Sequence, residues 1–208
     1  MLNLIKNLIL ARPKRKFLLA VESKEKAILS ALKKTAAASK SAGKVRLDEH
    51  VKLLNAFQFC MICDLDVSIL HRDLLMATEP WRQKLYARLL AMTLFESVED
   101  ITQLLGKEFR KNLDRAITKN DYKQKLNPIV KALNGFKNKH EHDFRDIRNN
   151  AVAHRDQNVE RQLATIEKID PEMVERLSFE FMELLSPLTP MMTEFMKDVI
   201  ACNNIPQK

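Results

Sequence analysis

Leu90, Leu94, Val98, Ile101 and Leu105 follow one another in steps of four, four, three and four. A helix turning about 100° per residue puts that spacing on one face, whereas a strand would scatter it over two. The rest of the chain is consistent with this. It has 3 glycines among 208 residues, and no two alternating runs are joined by an Asn-Gly or Asp-Gly turn. Leu, Ala, Lys, Glu, Met and Arg are abundant, and all are helix formers. The expected fold class is all-α: an antiparallel helical bundle over residues 46–208 with a basic N-terminal helical appendage over 1–45. With 46% apolar residues a sizeable core is available.

Element boundaries follow from local chemistry. Pro13 is expected to interrupt a short first helix, with a second helical stretch over 23–40 and a break at 39–44 around Gly43. Asp48 is the expected N-cap of a long helix running to about Ala77, with Leu53, Phe57, Cys60, Val67, Leu70 and Leu74 facing inward. Asp64 and Asp66 interrupt that run, so the helix is either partly buried or kinked. Thr78 is the expected cap of the next helix, which Pro80 opens and Gly106 ends. A short amphipathic piece follows to about Thr118. Asn127-Pro128 is expected to open another helix that stops near Asn134-Gly135. The last long helix begins at Asp170-Pro171 and carries Met173, Leu177, Phe181, Leu184, Leu188, Met191, Phe195 and Val199 on its apolar face. Pro187 and Pro190 should kink or split it. The tail after Cys202 is expected to fray.

The net charge of +8 favours anionic partners. It concentrates in three clusters: Arg12 to Lys16; Lys33, Lys34, Lys40, Lys44 and Arg46; and Lys131, Lys137, Lys139, Arg145, Arg148 and Arg155. Cys60, Cys63 and Cys202 make an odd count with no framework, which points to a reducing, cytoplasmic setting. Cys60-Met61-Ile62-Cys63 lies in an apolar helical run without a second pair, so it reads as buried thiols. No run is expected to reach the roughly 20 apolar residues of a spanning helix, and no stable membrane insertion is expected.

One stretch carries chemistry. Phe144 to Asp156 reads Phe-Arg-Asp-Ile-Arg-Asn-Asn-Ala-Val-Ala-His-Arg-Asp. Arginine offers a permanent charge and a planar fork of donors that matches phosphate oxygens. Histidine titrates near neutrality and can take or give a proton. On one unbroken helix Arg148 and His154 would project about 120° apart. Either the helix breaks between them, or two copies meet so that the arginine of one works beside the histidine of the other.

Arg148-Asn149-Asn150-Ala151-Val152-Ala153-His154 resembles the R-x(4–6)-H signature of HEPN domains, with a polar residue directly after the arginine and a polar pair, Arg155 and Asp156, after the histidine. The resemblance extends over about 48–200 and implies an all-α domain with metal-independent endoribonuclease activity on RNA, in a homodimer whose motifs face each other. By that resemblance His154 deprotonates the ribose 2′-OH or protonates the leaving 5′-oxygen, Arg148 holds the phosphate, and Asn149 orients one of them. Asn150, Glu96 and Asp156 are expected in supporting roles, and Arg145, Arg155 and Lys139 as RNA contacts. A toxin or antiviral role, with an antitoxin or regulatory protein as a further partner, is implied in the same way. No cofactor and no metal are expected. One branch of the family has a modified tyrosine two residues after the histidine; Asp156 stands there, so that regulation is not implied. The alternative is a non-catalytic module that binds RNA, nucleotide or a partner protein. His140 and His142 are two positions apart and would point about 160° from each other on a helix, so His140-Glu141-His142-Asp143 reads as solvated surface rather than a metal site.

Overall fold

The computed structural model describes residues 2–116, 121–147 and 159–203. They form eight helices: α1 (Leu2–Lys44), α2 (Asp48–Met76), α3 (Pro80–Leu104), α4 (Lys107–Arg115), α5 (Tyr122–Ile147), α6 (Val159–Glu167), α7 (Pro171–Leu185) and α8 (Leu188–Asn203). No strand occurs among the described residues. The all-α bundle expected from the sequence is what the chain forms.

α2 is the central helix and packs on α1, α3, α4, α7 and α8. That position explains its composition. Leu53, Leu54, Phe57, Cys60, Cys63, Val67 and Leu74 are all buried, so the helix needs apolar residues on most sides. By length and composition α2 is long and apolar enough to cross a membrane, which revises the expectation that no such run exists. In this fold more than half of its apolar window is buried inside the bundle. Leu90, Leu94, Val98 and Ile101 are buried on α3 and Leu105 is buried at its C-cap, as the spacing requires.

Helix directions follow from a few contacts. α2 and α3 form an antiparallel hairpin through the short link at 77–79. α7 runs antiparallel to α2, with Ser68 against Met182 and His71 against Ser178. α5 runs antiparallel to α7 and α8, with Tyr122 bonded to Asp198 and Lys139 facing Glu180. The C-terminal end of α2, the N-terminal ends of α3 and α7, and the C-terminal end of α5 therefore gather at one end of the bundle.

Several boundaries differ from expectation. α1 is one helix through Pro13, and its chain reversal comes after Gly43: Arg46 takes φ 58°, and Leu47 N–H donates to the Ala42 carbonyl at 3.0 Å. This bond spans five residues and closes the helix as a Schellman-type cap. The segment expected as an appendage buries Val21, Ile28, Thr35 and Ala42, and Ile28 belongs to the main core. Asp48 is the first residue of α2 rather than its cap, which is Leu47. Glu79, not Thr78, precedes Pro80 at the start of α3. α5 starts six residues before Pro128 because the Asp121 carboxylate accepts from the N–H groups of Lys123 and Gln124 at 3.1 Å each. It then continues through Asn134-Gly135 to Ile147. The expectations at Asp170-Pro171 and Pro187 hold. Asp170 accepts from Glu172 N–H at 3.0 Å, and the helix splits into α7 and α8 around Ser186-Pro187. The tail from 204 onward lies outside the described residues.

Candidate active site

α5 delivers the chain to the motif. Its buried face, Leu126, Ile129, Val130, Leu133 and Phe136, repeats in helical steps and holds it against α3, α7 and α8. Lys137 pairs with Glu99 of α3 at 2.7 Å, and the Phe136 ring lies 6.2 Å from that of Phe181 on α7. The next described element is α6, from Val159. α6 is tied to the same end of the bundle: Lys84 of α3 donates to the carbonyls of Glu167, at 2.8 Å, and Ile169.

Arg148, Asn149, Asn150, His154, Arg155 and Asp156 lie outside the described residues. Arg145 belongs to the last turn of α5 by its backbone. Of the remaining expected residues, Glu96 is exposed on α3, one turn before Glu99. With Lys137 opposite Glu99, Glu96 is level with about residue 140, roughly 10 Å of helix rise short of Ile147. Lys139 is exposed and faces Glu180 at 3.5 Å, so its charge already has a carboxylate neighbour.

The cysteines behave as expected for Cys60 and Cys63, which are buried and free. Burial pushes the Cys63 thiol up to about 11, against a hydrogen bond from Ser97, and pushes Cys60 higher still. Neither is a nucleophile near neutral pH. Among the described residues no group of His, Cys, Asp and Glu is placed to hold a metal. The expectation of a solvated surface at 140–143 fits His142, which is exposed, but not His140. The His140 ring is largely covered: it sits 4.9 Å from the Phe136 ring and 3.6 Å from both Asp143 and Glu180.

Two features escaped the sequence reading. His71 and Ser178 are buried together with 2.5 Å between Nδ1 and Oγ. Ser178 donates its own proton to the Glu175 carbonyl at 2.8 Å, so the histidine must donate through Nδ1. Burial, and secondarily the charge of Lys24, lowers the His71 pKa to about 4. A serine hydroxyl engaged this way and sealed from solvent is a structural lock rather than an exposed nucleophile. The second feature is Trp81, 55% exposed at the start of α3, with the Arg88 guanidinium 5.8 Å from its ring centre. A groove of about 350 Å³ opens at this same end, but Asp170, Glu172 and Glu175 line it, which disfavours a phosphate.

No family model, no curated protein and no solved structure matches this chain.

Proposed function

We propose that this chain is a metal-independent endoribonuclease that cleaves RNA by attack of the ribose 2′-OH on the adjacent phosphorus. What carries the reading is the residue set Arg148-Asn149-Asn150-Ala151-Val152-Ala153-His154 on the connection between α5 and α6. In this reading His154 removes the 2′-OH proton or supplies the proton taken up by the leaving 5′-oxygen. Arg148 neutralises the charge that grows on the phosphate oxygens, where a fixed bidentate donor acts most strongly in the transition state. Asn149 orients one of the two. Two copies with their motifs apposed solve the angular problem of an Arg and a His six residues apart. The products are a 2′,3′-cyclic phosphate and a 5′-hydroxyl, and DNA is inert because it lacks the attacking group. A growth-arresting or antiviral role, and a cytoplasmic place of action, belong to the same proposal.

A non-catalytic RNA-binding role has one observation in its favour. The exposed indole of Trp81 with Arg88 beside it is a surface on which an unpaired base can stack. One experiment separates the two readings. Purified protein is incubated with total RNA in EDTA beside His154→Ala, and the new ends are mapped. Cleavage by wild type alone, leaving cyclic phosphates, supports the ribonuclease. RNA binding with a steep salt dependence and no cleavage supports the binding module.

A further inference from the structure

The first helix carries two lines of residues, each with a period of seven. Ile28, Thr35 and Ala42 face the bundle and are buried. Lys26, Lys33 and Lys40 precede them by two residues each and are exposed. Seven residues fall within about 20° of two full turns, so each set keeps to one side of the helix. Two residues turn it by about 200°, so the lysine line is opposite the buried one. Lys44, also exposed, continues the line. The four lysines lie within an arc of about 40° over roughly 27 Å of helix. Lys34 flanks them, and Arg46 follows at the cap; both are exposed.

Several cations elsewhere on the fold are already paired. Lys24, on the same helix, is bonded to Asp64, Arg72 holds Glu25, and Lys137 and Lys139 face Glu99 and Glu180. Among the described residues Lys26, Lys33, Lys34, Lys40, Lys44 and Arg46 have no carboxylate partner. Their own segment supplies none, because no Asp or Glu occurs between Glu25 and Asp48. Along the line the lysines recur about every 10 Å or less, close to the screening length at physiological salt, so their fields overlap. Between them the helix shows small exposed side chains, Ser30, Ala36 and Ala37, and one large apolar one, Leu29.

We propose that the outer face of α1 from Lys26 to Lys44 binds the phosphate backbone of a nucleic acid strand laid along the helix. A small anion would meet one lysine or two, because the line is roughly 27 Å long. A nucleic acid presents a charge every few ångströms and so meets all of them. Small side chains between the lysines let the backbone approach the helix closely. A lipid surface fits less well. It is a plane, whereas this line is narrow. Charge without an acyl or apolar anchor is also a weak hold on a membrane, and Leu29 alone supplies the apolar part. The proposal does not rest on the ribonuclease reading. Lys24 is level with Asp64 and Ser39 with Asn55, so the line runs beside the first half of α2, away from the end at which α5 stops. Where the ribonuclease reading also holds, this face grips a long RNA at a distance from the cut.

The test measures binding of a labelled DNA strand of about 30 nucleotides to the full chain, by fluorescence anisotropy at several salt concentrations. DNA stays intact even where the chain cleaves RNA, because it lacks the 2′-OH. Wild type binds, with log K falling linearly as log salt rises. Lys33→Gln with Lys40→Gln makes that slope shallower by about 1.4, at about 0.7 per lost phosphate contact, and weakens binding roughly twentyfold at about 0.1 M salt. Lys33→Arg with Lys40→Arg keeps both charges and binds like wild type. So does the equally discharged Lys107→Gln with Lys168→Gln, exposed cations on α4 and between α6 and α7. All three variants unfold at the wild-type temperature, since these side chains face solvent. Wild type that leaves the strand free overturns the proposal, and binding only to vesicles containing phosphatidylglycerol then assigns the line to lipid headgroups. An equal loss in the two glutamine variants also overturns it, because net charge rather than this face then holds the strand.

Discussion

His71 gives the fold a measurable sensitivity to acid. Its ring is 1% exposed, donates through Nδ1 to Ser178 and lies against Phe17. Protonation would add a charge in a site that removes water and already has the ammonium of Lys24 nearby, which is why the pKa falls from 6.5 to about 4. Below 6.5 the unfolded chain takes the proton and the folded chain does not. This histidine's contribution is therefore fully present above pH 6.5 and is lost as the pH falls towards 4. At roughly 1.4 kcal/mol per pH unit, the full loss is about 3 kcal/mol. Other groups titrate over the same range. Burial raises Asp64 against the opposing pull of Lys24, so the folded state gains protons there and stability shifts the other way. A difference measurement removes that background. His71→Asn keeps an amide donor near the Nδ1 position and does not titrate. Urea unfolding of both proteins at intervals from pH 7.5 to 4.5 should show wild type losing about 2–3 kcal/mol more than the variant, whose baseline is lower throughout. Parallel curves for the two proteins would refute the buried-histidine argument.

Three further outcomes follow from the packing. His50 is 3% exposed with neither ring nitrogen hydrogen-bonded, so His50→Leu should raise stability by about 1 kcal/mol or more, read as a higher midpoint in thermal unfolding. Leu94→Ala, at a fully buried position of α3, should cost about 3–5 kcal/mol in urea unfolding, while Leu104→Ala on the same helix, 37% exposed, should cost under about 1 kcal/mol. Asp170→Ala removes the side chain that caps α7 and should cost about 1 kcal/mol, which Asp170→Asn or Asp170→Ser should largely restore.

Sequence reading succeeded where burial writes a period into the chain. The α3 stripe and the split at Pro187 are local patterns, and each was legible because apolar spacing or a missing donor acts within a turn or two. It failed where a long-range contact outweighs a local signal. Pro128 reads as a helix start, yet it sits on the exposed face of α5 while Leu126, Ile129, Val130 and Leu133 hold the helix from the other side. One lost donor is a smaller effect than that burial. Asp64 reads as an interruption of an apolar face, yet it is buried and paired with Lys24 at 2.6 Å, forty residues away. His71 carries no local signal, because its partner, Ser178, is 107 residues away. At the candidate site the reverse holds. Its chemistry is legible in a short run of residue types, while the partners of that run depend on tertiary placement that spacing does not carry.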